Sequence, residues 1–337
     1  MPTPCEPLAA CPARPGLLRA PTLGEGLALL YMALVAAAAG ATGLEFLLFP
    51  ELAALSHDVL TRPGGKWASQ PVRLVVTPAV TAVLGTLATR LLPYHVLTIL
   101  LIVGASLVVI ALLRSAIAPA ISAGVLPLVF GVRSWLYPVS IVAVLLALAG
   151  LLVAWRRWRP APEEPAEGAS REVDEVLETP TPVRRWLVPL LLFVALTGFV
   201  AQRTGLRFLL FPPLVVMAYE MFGHPETCPW ARRPRSFPIA CFLTALGGLA
   251  AAKLLGGGAA GAAAAMAWGL LVLRGFDIHM PPALAVGLIP LVMKAPGLAY
   301  PLSVGGGTAA LTASFLVWRR SRRQPAETSA ASPRQAA

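Results

Sequence analysis

The chain has 337 residues, of which 57% are hydrophobic and only 13% charged, with a mean hydropathy of +0.74. A soluble domain carries roughly 25% charged residues, so a soluble globular enzyme is excluded by the shortage of charge to cover its surface. Lysine and arginine total 27 against 16 acidic residues, a net +11. Those basic residues flank apolar segments, where membrane topology places them, and no basic run is interleaved with aromatics to grip nucleic acid.

In chain order, residues 1–22 contain no apolar core of signal-peptide type and are predicted to be a disordered tail. Residues 23–159 contain four long charge-free segments, at about 26–44, 74–89, 93–113 and 134–155. Between them lie two shorter proline-led runs, Phe46–Val59 and Ala118–Val132. Residues 160–182 hold seven of the sixteen acidic residues and several prolines. Such a segment buries no apolar area, which predicts an acidic, Pro-rich flexible linker. Residues 183–320 repeat the earlier pattern, with long segments at about 186–202, 236–252, 254–273 and 295–318 and short runs Phe208–Phe222 and Met280–Met293. Residues 321–337 are predicted to be a second disordered tail.

The two membrane regions match in one register. Thr42-Gly43-Leu44 and Phe46 through Pro50 recur as Thr204-Gly205-Leu206 and Phe208 through Pro212 at a constant spacing. A single inserted residue then lengthens that spacing by one. The longer spacing pairs Trp67 with Trp230, Tyr137-Pro138 with Tyr300-Pro301, and Trp155-Arg156-Arg157 with Trp318-Arg319-Arg320. Agreement of Trp, Tyr, Pro and Arg in one register predicts an internal duplication. The expected fold is an all-α polytopic membrane protein of two homologous six-segment halves, each with four full transmembrane helices and two short proline-led broken helices. Helices are required because lipid cannot satisfy an open backbone.

The positive-inside rule counts the crossings. If all twelve segments cross, 21 basic residues fall on one side and 6 on the other (Arg90, Arg133, Arg203, Arg207, Lys253 and Lys294). If the short runs are re-entrant, the split is 15 to 12. The steeper partition predicts twelve crossings, with both termini and the linker cytoplasmic in a cell (inner) membrane. Each half then reads as two three-segment inverted units, a recurrent transporter architecture.

Each short run has proline near its start: Pro50, Pro119, Pro212-Pro213 and Pro281-Pro282. Proline suits the first helical turn. A helix that begins inside a bilayer leaves its first N–H groups unpaired, and its dipole favours an anion there. The expected substrate-binding residues are therefore Pro50, Pro119, Pro212, Pro213, Pro281, Pro282 and Ala283. Asp277 and His279 just before the last pair, and Arg207 as a cationic ligand, complete the set. Other ionisable residues in or near membrane segments are Glu45, Glu51, His57, Asp58 and Glu220; such residues are rare in membranes and often functional. Cys5, Cys11, Cys228 and Cys241 form no CxxC pair, and no zinc spacing, phosphate loop or nucleophile elbow is present. The expectation is no enzyme, no metal and no cofactor.

The second membrane region resembles the HPP family of integral membrane proteins. The resemblance rests on Phe276-Asp277-Ile278-His279-Met280-Pro281-Pro282-Ala283 running into Leu284-Ala285-Val286-Gly287, and covers about residues 184–320. Met280 stands in the position of the family's histidine and His279 lies one residue earlier, while the first region has Ile117-Ala118-Pro119-Ala120 there. The resemblance implies a transporter whose cargo is a small monovalent anion such as nitrite, built here as two fused units, either a monomeric pseudo-dimer or a homo-oligomer. The expected partners are the lipid bilayer and a small anion. The alternative is a non-transporting membrane scaffold or partner-binding subunit that keeps the fold.

Overall fold

The structure is a computed structural model describing residues 22–158 and 183–330. The expected tail before residue 22, the linker and the last seven residues lie outside that range. Regular structure among the described residues is helical throughout, with no strand.

Thirteen α-helices are described: α1 (Leu23–Thr42), α2 (Glu51–Thr61), α3 (Pro71–Leu91), α4 (Val96–Leu112), α5 (Ala120–Phe130), α6 (Leu136–Trp158), α7 (Val183–Thr204), α8 (Pro212–Gly223), the single turn α9 (Pro229–Arg232), α10 (Ser236–Leu255), α11 (Ala259–Phe276), α12 (Pro282–Val292) and α13 (Ala299–Ala330). Short 3-10 turns, Glu45–Leu47 and Arg207–Leu210, precede α2 and α8. Thr22 starts α1 with a reciprocal capping box: its hydroxyl accepts from the Glu25 N–H at 3.2 Å, and the Glu25 carboxylate accepts from the Thr22 N–H at 2.7 Å. Gly43 stops α1 in the left-handed region at φ 71°, a conformation that costs glycine least. The expected tail from residue 321 begins inside α13, which continues to Ala330.

Six helices are long and apolar enough to cross a bilayer: α1, α3, α6, α7, α10 and α11. The sequence predicts eight. α4 falls short at 17 residues because the chain turns at Leu113 and Arg114, the latter in the left-handed region at φ 47°. α13 is long, but Gly305-Gly306-Gly307, Thr308 and Thr312 dilute its apolar character.

The proline-led runs form α2, α5, α8 and α12, of 11 or 12 residues each. At 1.5 Å per residue they are roughly 16–18 Å long, little more than half of a ~30 Å hydrocarbon core. All four are almost wholly buried; α5 and α12 carry no charged residue, whereas α2 buries Glu51, His57 and Asp58. They form the centre of the molecule: α2 packs on α12, α5 on α8, and α8 on α12.

Named contacts assign the helix ends. Arg156 on the last turn of α6 donates to Pro63 O between α2 and α3, and Arg274 near the end of α11 pairs with Glu25 at the start of α1. Arg73 at the start of α3 donates to Arg114 O after α4 at 2.9 Å. This is the end from which the linker departs. At the far end, Arg90 donates to Arg133 O at 3.0 Å, and the Val96 N–H donates to Gln202 Oε1 at 3.2 Å.

Positions paired by the sequence register make matching contacts. Tyr137 donates to Ala123 O at 2.9 Å, and Tyr300 to Val286 O at 2.6 Å. Arg114 and Asp277 are both left-handed. Phe46 meets the Tyr137 ring edge to face, as Phe208 meets Tyr300. Gly85 lies against the Gly124 carbonyl, and Gly248 against that of Gly287, so closely that a β-carbon would fall 2.0 Å and 1.9 Å from the oxygen. Small residues at such crossings let helix backbones approach within a membrane. The first helix of each region also reaches across to the other region: α1 packs on α11 besides its own α2, and α7 packs on α4 besides its own α8.

Candidate functional site

Because the four central helices are short, space is left above and below them. One cavity, of about 400 Å³, opens at the linker end. It is bounded by the C-terminal turns of α2 and α8 and by the segments leading into α5 and α12. The other, of about 550 Å³, opens at the far end, where the chain enters α2 and leaves α5 and α12.

Local helix geometry places the charges of the linker-end cavity. Asp58 and Arg62 are four residues apart and share one helix face. The buried Asp58 carboxylate accepts from Arg62 Nε at 3.0 Å and also from its Nη2, and His279 Nε2 lies 3.5 Å from the same oxygen. Glu220 and His224 repeat this spacing on α8, with His224 Nδ1 3.0 Å from Glu220 Oε2. Lys66 and Arg114 add two further cations to the lining. The Asp58–His279 contact joins the two regions, and His57 stacks near His279 with ring centroids 6.1 Å apart.

The far-end cavity carries Arg133, Arg207 and Lys294 against a single carboxylate, Glu45. The Arg207 guanidinium lies over the Tyr94 ring, 4.7 Å from its centroid, a cation–π contact that fixes its position. Phe46, Phe49, Phe208 and Tyr137 supply an aromatic lining. Both cavities thus present more arginine and lysine than carboxylate side chains. No group of three or more His, Cys, Asp or Glu among the described residues could hold a metal ion.

The buried residues of the four short helices include one carboxylate without a cationic partner. Glu51, the first residue of α2, is 2% exposed; one carboxylate oxygen accepts from Ser122 Oγ on the first turn of α5, and Oε2 has no partner.

The structure separates the sequence-predicted residues into four places. His279, Pro281 and Pro282 line the linker-end cavity. Pro50 and Arg207 line the far-end cavity. Pro119, Pro212, Pro213 and Ala283 are buried in the central packing and line neither. Asp277 is on the surface with its side chain 70% exposed, 3.2 Å from Arg233, because its left-handed backbone turns it away from α12. The proline-led N-termini thus do not all line one cavity, although the Ser122–Glu51 hydrogen bond joins the first turns of α5 and α2. α2 and α8 run toward the linker end and α5 and α12 away from it, so the sets open in opposite directions. Sequence reading missed Arg62 and His224 as partners of Asp58 and Glu220, although the spacing of four residues was visible. It also missed Ser122 as the partner of Glu51, for which no local signal exists.

Comparison with family models, curated proteins and solved structures gave no match to this chain.

Proposed function

We propose that this chain is a multi-pass membrane carrier or channel for a small monovalent anion, with two homologous halves arranged as a pseudo-dimer in one chain and no enzymatic activity. The observation that carries the proposal is the pair of basic cavities facing opposite ends of the molecule across a core of four half-length helices. A multi-span protein with water-accessible basic chambers on both sides needs only a change at the central packing to pass an anion. The contacts repeated in register, and the first helices that reach across between the regions, support the duplication. Nitrite is the leading cargo by the HPP resemblance, and the basic linings are suited to nitrate, formate and chloride as well. The excess of basic residues at the linker end supports a cytoplasmic placement of that end in a cell membrane.

The test is uptake of nitrite, nitrate, formate and chloride into proteoliposomes. Uptake of at least one, reduced by Arg207→Gln and Arg133→Gln, is the expected result; none by a folded preparation refutes the proposal. A second reading, a non-transporting scaffold, is favoured by the dense apolar packing of α2, α5, α8 and α12 between the cavities. It predicts no uptake of any anion and a stable complex with another membrane protein.

A further inference from the structure

Glu51 stands apart from Asp58, the other buried carboxylate among the described residues. Asp58, Glu25 and Glu220 each face a cationic partner or imidazole, whereas Glu51 has none, and one of its oxygens has no partner at all. It occupies the first turn of α2, immediately after Pro50, which lines the far-end cavity. Further along the same helix stand His57 and Asp58, and Asp58 lines the linker-end cavity. The helix that carries this carboxyl thus has one end at each chamber.

The titratable groups on the helices around α2 have partners other than Glu51. α6 contributes Tyr137 and α13 contributes Tyr300, whose hydroxyls donate to Ala123 O and Val286 O. α1, which packs on α2, carries Tyr31, which donates to Val144 O at 2.5 Å, and, at the linker end, Glu25, which is paired with Arg274. Arg156 of α6 is engaged with Pro63 O at the linker end. α5 and α12 carry no ionisable side chain. No cationic side chain is paired with Glu51; only the N–H groups and dipole of the first turn of α2 favour its charge, and a carboxylate buried away from water and cationic side chains is costly. In the second region the positions that pair with Glu51 and Ser122 are Pro213 and Ala285, so the duplication did not leave a second such carboxyl there.

We propose that Glu51 is a proton-binding site that couples anion passage to proton movement, one proton with each anion. This rests on the anion-carrier proposal above. With the proton bound, the centre of the molecule is neutral and an anion drawn in by the basic cavities meets no repulsion. When the O–H bond breaks and the proton leaves to water in one cavity, the carboxylate repels the anion and drives it out on the same side. Proton and anion therefore favour each other's binding, and the coupling is reciprocal.

The test uses the full chain. Infrared difference spectra across a pH titration in nanodiscs read the carbonyl band of a protonated carboxyl. A titrating band in the wild type, lost in Glu51→Gln and shifted in frequency in Ser122→Ala, is expected. Proteoliposomes loaded with a lumenal pH dye then read protons moved per nitrate or chloride, anions that do not themselves cross as neutral acids. The wild type moves about one proton per anion, and Glu51→Gln lowers that ratio at least tenfold. An unchanged band in Glu51→Gln, or a band in Ser122→Ala at the wild-type frequency, overturns the proton site while leaving anion uptake standing. A wild type that moves no anion, with the band titrating normally, overturns the carrier proposal and the coupling with it.

Discussion

Gly85 and Gly248 are the points where the packing of α3 on α5, and of α10 on α12, is decided. A β-carbon at Gly85 would lie 2.0 Å from Gly124 O, and one at Gly248 would lie 1.9 Å from Gly287 O. Ordinary contact begins at 3.4 Å, so each pair of backbones must part by about 1.4 Å or 1.5 Å to admit an alanine. α5 and α12 are enclosed on all sides and have little room to retreat. Overpacking of this kind costs typically 1–3 kcal/mol, and the backbone atoms involved place both sites at the upper end. Gly85→Ala and Gly248→Ala should each lower the unfolding free energy by about 3 kcal/mol, a change of roughly 150-fold in the unfolding equilibrium. The two crossings are in different parts of the molecule, so the double variant should lose close to the sum. Gly104→Ala, where no atom lies within 4 Å, is the control and should be neutral or gain up to about 1 kcal/mol from helix propensity. Reversible denaturation in mixed micelles, followed by tryptophan fluorescence, measures all four. Gly85→Ala and Gly248→Ala behaving like Gly104→Ala would refute the close crossings.

Further predictions follow from the paired contacts and the cavity linings. Tyr137→Phe and Tyr300→Phe each remove one buried hydrogen bond and should each destabilise by about 1 kcal/mol in the same assay; a large inequality between them would contradict the matched geometry. Asp58→Ala strands the Arg62 guanidinium and His279 in a partly buried site and should cost about 3 kcal/mol, while Glu220→Ala, at a side chain 20% exposed, should cost under about 1 kcal/mol. With Cys5 and Cys11 replaced by serine, maleimide should label Asp277→Cys quickly and leave Cys228 and Cys241 slow, because both native thiols are buried and burial pushes the Cys228 thiol up; rapid native labelling read by mass spectrometry would contradict the packing around them.

The short helices were legible because proline and the lack of charge mark their starts in one dimension: Pro50, Pro119, Pro212 and Pro281 each stand at or beside a helix start. Which helix each would meet was not legible. Ala, Leu and Gly offer nearly the same surface to any apolar neighbour, so nothing in Ala259–Phe276 announces α1 as its partner. Antiparallel placement of the short helices is a matter of chain direction through three dimensions, and it distributes the proline-led segments between two cavities and the packing around them. Arg207 is legible as a cationic ligand candidate by its charge, but its companions in the far-end cavity, Arg133 and Lys294, come from segments far apart in sequence. The isolation of Glu51 depends on what fails to surround it, a property that no local pattern carries.

The reach of α1 and α7 into the opposite region has a consequence for how the chain is made. When the ribosome has delivered residues up to about Trp158, α1 has α2 beside it, but the flank that will meet α11 is bare because that helix is not yet synthesised. The half-finished protein must wait in the bilayer with that flank open to lipid. It closes only when the later helices arrive and α7 takes up its place on α4. Once closed, the clasp joins the two parts independently of the covalent connection between them, so a cut between residues 159 and 182 should leave one particle rather than two.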